Sequence, residues 1–108
     1  DVHRGYALEQ EGAQRQYQRR FFDQENEWSD LNSRLSEARE RYQLAQSLEQ
    51  AQREKLKVER ERMDRGRSTT FTVIQFEQDE AQAQLNTLRA QAEILQIIAQ
   101  MKTFGGPL

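Results

Sequence analysis

The chain has 108 residues, of which 35% are hydrophobic and 31% charged, with 16 basic against 18 acidic side chains and a formal net charge of -2. Its mean hydropathy is -1.06, and 16 of its residues are glutamine. A globular domain usually carries roughly 45–50% apolar residues, so this chain lacks the material for a thick core and suits long helices with narrow apolar seams. With no cysteine it has neither a disulfide framework nor a thiolate metal site. Its single histidine, His3, leaves no cluster for zinc and no nucleophile–base pair.

Near-balanced charge gives no general pull toward nucleic acid. No apolar run approaches the ~20 residues of a membrane helix; the longest, Ile94–Ala99, is interrupted by Gln96. The sequence opens at Asp1 without an initiator methionine or a leader pattern. It stops at Gly105-Gly106-Pro107-Leu108. It reads as a mature chain, a domain or a piece of a larger protein.

The first element is a long helix from about residue 6 to 64. It is free of proline, and Gln, Glu, Arg, Leu and Ala dominate it, all good helix formers. A turn at residues 65–70 follows. Gly66 is the natural left-handed residue to end the helix, and Arg62 and Arg65 suit the negative end of its dipole. Ser68, Thr69 or Thr70 then caps a second helix over about 71–103, with Glu77, Asp79 and Glu80 early in it. A tail at 104–108 stops the second helix at its Gly-Gly-Pro. The expected fold is all-α: a long antiparallel coiled-coil hairpin.

The apolar period is 3.5. In helix one, Trp28, Leu31, Leu35, Ala38, Tyr42 and Ala45 step by three and four, reaching back to Phe21 and Tyr17 and forward through Glu49 and Gln52 to Leu56 and Met63. In helix two, Ile74, Gln78, Ala81, Leu85, Leu88, Ala92, Leu95 and Ala99 keep the same rhythm. Such heptad seams imply left-handed supercoiling.

Helix two carries a second seam: Val73, Phe76, Glu80, Ala83, Thr87, Ala90, Ile94, Ile97 and Met101. Helix one has a shorter second line in Leu44, Leu48, Ala51 and Val58, broken by Lys55. Two seams on one helix ask for neighbours on two sides, as in a sheet or ring of helices. A broad stripe on one partner, or a three-helix bundle, is the alternative. The helices differ in length, so the stretch from Tyr6 to about Leu31 has no partner in the chain. It holds Tyr17, Phe21, Phe22 and Trp28, and burial of a large apolar side chain stabilises by ~1.5–3 kcal/mol. Self-association through this region is expected.

Groups that carry catalysis are missing. Carboxylates fall at helical spacing as surface pairs, such as Glu37 and Arg41. The Glu-x-x-His pattern of a di-metal bundle does not occur, and Gly66 alone makes no phosphate loop. The sequence gives no catalytic, cofactor-binding or metal-ligating residue, and the chain is expected not to be an enzyme. Arg60, Arg62, Arg65 and Arg67 cluster near the turn, tempered by Glu61 and Asp64. They suit an acidic partner, or simply complement the helix dipole.

At the turn, Gly66-Arg67-Ser68-Thr69-Thr70-Phe71-Thr72-Val73-Ile74-Gln75-Phe76 resembles the repeat signature of the outer membrane efflux protein family, the TolC-like channels. That signature reads Gly-x-x-Thr/Ser, two residues, Asp-Val-Leu, one residue, Ala. Gly66, Thr69 and Val73 fit it, and Ile74 stands for the Leu. Ala83, Ala90, Leu95 and Gly106 fall where the family places small, aliphatic and closing glycine residues. Thr72 replaces the usual Asp, Phe76 a small residue, and Ala90–Ile94 lacks the family's aromatics. The resemblance covers roughly residues 58–106.

The resemblance implies a hairpin from the periplasmic α-helical barrel of a channel that is a homotrimer in its full-length form, in the Gram-negative cell envelope. Its turn would meet a periplasmic adaptor of an inner-membrane export pump. The implied partner-binding residues are Arg65, Gly66, Arg67, Ser68, Thr69, Thr72 and Val73. One alternative is the hairpin of the adaptor itself, a membrane fusion protein, although Arg62, Met63, Ser68 and Asp79 do not reproduce its tip spacing. Another is a generic coiled-coil scaffold, such as a spectrin-like or kinesin-associated rod.

Overall fold

A computed structural model describes residues 2–104, with side chains from Glu9 onward. Two helices, α1 (Val2–Asp64) and α2 (Thr70–Phe104), form an antiparallel hairpin measuring 96 × 21 × 15 Å. The all-α hairpin expected from the sequence is the fold. α1 begins a few residues before the expected Tyr6, and α2 takes in Thr70 and Phe104. The tail from Gly105 onward and the His3 side chain lie outside the described residues.

The seam of α1 is the line its heptads specify. Leu31, Leu35, Ala38, Tyr42, Ala45, Glu49, Gln52, Leu56, Glu59 and Met63 are its buried or half-buried positions. On α2 the inward line is Val73, Phe76, Glu80, Ala83, Thr87, Ala90, Ile94, Ile97, Met101 and Phe104. The other line, from Ile74 to Ala99, which the sequence offers equally well, stays outside the hairpin. The two lines alternate one and two residues apart, as in Val73 and Ile74 or Ala83 and Leu85, so they face directions roughly 150° apart on the helix. The turn is short enough to fix that rotation, and it brings Val73, Phe76, Ile97 and Phe104 into the seam.

At the open end, Leu31, Ala38 and Ile97 form the core, with Leu35, Ile94, Met101 and Phe104 packed against it. Alanines at Ala38, Ala45, Ala83 and Ala90 let the helices approach closely. Trp28 stacks on Phe104 with ring centroids 6.2 Å apart and planes 15° apart. That contact corrects the expected extent of the unpaired region. Leu31 is buried and Trp28 is covered in part, so the overhang of α1 reaches only to about Glu27. Within it, Tyr17, Phe21 and Phe22 are exposed.

Midway the seam turns polar. Arg53 Nη2 donates to Glu49 at 2.8 Å, and Arg53 Nε lies 3.5 Å from Glu80, next to half-buried Gln52. Polar residues at seam positions set register and lower stability. Arg41–Glu93 and Arg60–Glu77 pair on the two flanks of the seam.

Candidate functional site

The turn is built from three local devices. The first closes α1. Gly66 holds φ 74°, its N–H donates to Met63 O at 2.9 Å, and the Arg67 N–H donates to Arg62 O at 2.8 Å. These are the two hydrogen bonds of a Schellman motif, which satisfies the last carbonyls of a helix through one left-handed residue. The second device opens α2. Of the three candidate caps, Thr69 takes the role: its Oγ1 accepts the Thr72 N–H at 3.2 Å and lies 2.9 Å from Thr72 Oγ1. Thr72 thus sits at the third helical position, where a side chain reaches back to the cap.

The third device is Glu59. It is only 5% exposed, accepts a short hydrogen bond from Ser68 Oγ, and is approached by Arg62 Nη1 at 3.4 Å. A buried carboxylate needs such partners, and here they tie the loop to the last turns of α1. Sequence reasoning passed over Glu59, stepping from Leu56 to Met63. Its signal was the unbroken three-four rhythm, in which Glu59 falls on the seam.

The predicted tip residues are gathered at one end of the hairpin, but they do different jobs. Val73 is buried in the seam. Ser68 is half-buried on Glu59, and Thr72 is half-buried on the cap. Arg65, Gly66, Arg67 and Thr69 are exposed. Among the described residues, Arg60 and Arg62 are held by Glu77 and Glu59, while Arg65 and Arg67 have no ion-pair partner. Phe71, which the sequence did not single out, projects beside them at 78% exposure. The outward tip is therefore two arginines, a threonine and an exposed aromatic ring.

A second candidate surface runs along the sides. On α2, Ile74, Leu85, Leu88 and Leu95 are exposed, and on α1 so are Leu44, Leu48 and Val58. The α1 line is on the flank of the Arg41–Glu93 pair, where Leu44 and Leu48 border an open groove with Ala83 and Asn86. By heptad position the α2 line belongs to the opposite flank, that of Arg60–Glu77.

Comparison with protein-family models, with curated proteins and with solved structures finds no match to this chain. The reading of the site accordingly stands on its own residues. The hydrogen bond to Glu93 holds the Arg41 guanidinium above its ordinary pKa. Among the described residues, no cluster of His, Cys, Asp and Glu has the arrangement to hold a metal ion. No helix there is long and apolar enough to cross a membrane.

Proposed function

We propose that this hairpin is a structural stave of a TolC-like outer membrane efflux channel, lying in the periplasm between neighbouring helices, with its turn as the docking point for a periplasmic adaptor of an inner-membrane pump. In this reading it is a conduit wall and not an enzyme, and the full-length protein is a homotrimer. One observation carries the proposal: a full heptad line of α2, with Leu88 and Leu95 each 61% exposed, is left over after the hairpin has closed its own seam. Soluble proteins seldom leave a long contiguous apolar line in water unless a partner covers it.

The turn supports the same reading. Gly66 and Thr69, which carry the family resemblance, hold the backbone reversal and the cap, and Arg65, Arg67 and Phe71 are exposed beside them in the chain. Arginine and aromatic side chains are the residue types that dominate contact energies. A free-standing coiled-coil scaffold is the second reading, favoured by the closed seam from Leu31 to Val73.

Direct binding between this chain and the hairpin of the cognate adaptor separates the two. The proposal expects saturable binding that is lost or strongly weakened by Arg67→Glu with Thr69→Ala. A scaffold would give no binding, or binding indifferent to those changes.

A further inference from the structure

The seam inside the hairpin is apolar toward both of its ends and lacks large apolar side chains between them. Trp28 and Phe104, which stack, stand at equal numbers of residues before and after Gly66. The same spacing sets Leu35 against Ile97 and Ala38 against Ile94 in the base of the hairpin, and Leu56 against Phe76 and Glu59 against Val73 near the turn. Three successive layers separate the two groups: Ala45 with Thr87, Glu49 with Ala83, and Gln52 with Glu80. Of these six residues only Ala83 is buried, and the other five are half-buried.

What crosses the seam in this stretch is Arg53. It donates to Glu49 on its own helix and lies 3.5 Å from Glu80 on the other, with its side chain half exposed. An ion pair open to water contributes little to stability, whereas burial of large apolar side chains contributes much. The core cluster of Leu31, Ala38 and Ile97 does not take in Leu56 or Val73, which are buried separately near the turn. The turn has ties of its own as well, in the Gly66 and Arg67 backbone bonds and the Ser68–Glu59 contact. None of these ties involves the base.

We infer that the polar stretch is a joint, at which the turn end of the hairpin, residues 56–76, opens and closes as a unit of its own while the base stays folded. Parts of a protein open separately where few buried apolar contacts link them. The base holds Leu31, Leu35, Ile94, Ile97, Met101 and the Trp28–Phe104 stack. The turn end holds Leu56, Val73 and the half-buried Met63 and Phe76. The smaller apolar content makes the turn end the unit that opens more often. The inference concerns the hairpin alone and does not rest on the channel reading.

Native-state hydrogen exchange of the whole chain, followed residue by residue by NMR at low urea concentrations, tests it. Amides of residues 57–63 and 73–77 should share one protection level and one urea dependence. Amides of residues 32–42 and 92–100 should share a second level, at least about tenfold higher and with a steeper urea dependence. The step between the levels should fall within residues 45–52 and 80–87.

Filling the joint with Gln52→Leu and Glu80→Leu should raise the turn unit toward the level of the base and shrink the step, with sedimentation checking that the association state matches the parent. Glu49→Leu, opposite Ala83, repeats the test in the next layer. A single protection level across both units of the parent overturns the inference, and so does a smooth decline from base to turn without a step. A step that persists undiminished in both filled variants shows that the polar layers are not the joint, and overturns it too.

Discussion

Replacing Gly66 with alanine isolates what the turn requires of the backbone. Its φ of 74° is in the left-handed region, and a Cβ built there meets no atom within 4 Å. No steric clash contributes, so the whole effect comes from the residue's own dihedral preference. An L-residue in that region is disfavoured by ~1–2 kcal/mol. Alanine also lowers the entropy of the unfolded chain, which offsets roughly 0.4–1 kcal/mol. The expected net loss is about 1 kcal/mol, which for a domain of this size lowers Tm by about 4–8 °C.

Thermal and urea unfolding followed by circular dichroism measure the loss. Two controls sharpen it. Gly66→Asn should lose less, because Asn tolerates the left-handed region better than other side chains. D-alanine introduced at position 66 by chemical synthesis should raise stability, since its mirror preference matches the turn. An alanine variant as stable as the parent, or a D-alanine variant less stable than the L-form, would refute the reasoning.

Three further outcomes follow from the same geometry. Thr69→Ala removes the cap of α2 and should lower stability by about 1 kcal/mol, whereas Thr70→Ala should leave the urea midpoint nearly unchanged. Ser68→Ala leaves the buried Glu59 carboxylate without its hydroxyl donor and should lower stability by about 1.5–3 kcal/mol; Glu59→Leu, which replaces the carboxylate with a seam residue, should be neutral or stabilising by comparison, as equilibrium unfolding of the variants will show. Ile97→Ala, at 2% exposure, should lower the stability of the isolated hairpin by roughly 2–5 kcal/mol, while Leu95→Ala stays within ~0.5 kcal/mol. The reverse order would mean that α2 turns its Ile74–Ala99 line inward.

The sequence was informative where local chemistry is strong. Gly66 is the one residue between two long helical stretches that suits a left-handed cap, so the turn was legible. The α1 seam was legible too, because its run from Trp28 to Ala45 is unbroken, whereas the second line of Leu44, Leu48, Ala51 and Val58 is short and interrupted by Lys55. α2 was ambiguous by construction. Ile74–Ala99 and Val73–Met101 are both good heptad lines, and only the geometry of a short turn decides which one faces inward.

Glu59 was missed because a carboxylate on a coiled coil reads as surface until the loop that covers it is in place. Phe71 was missed because a residue in the first turn after a cap has no periodic partner to betray its direction. The overhang was placed too long by one turn of helix. The Trp28–Phe104 stack depends on where α2 ends, and helix ends are the least determined part of such a pattern.

The central claim is that the Ile74–Ala99 line of α2 is a contact surface in the working assembly. Thiol labelling of Leu88→Cys tests it most directly, comparing the hairpin diluted until it is monomeric with the protein in the proposed assembly. The account predicts rapid labelling in the monomeric hairpin and strong protection in the assembled protein. Equally rapid labelling in both would contradict it.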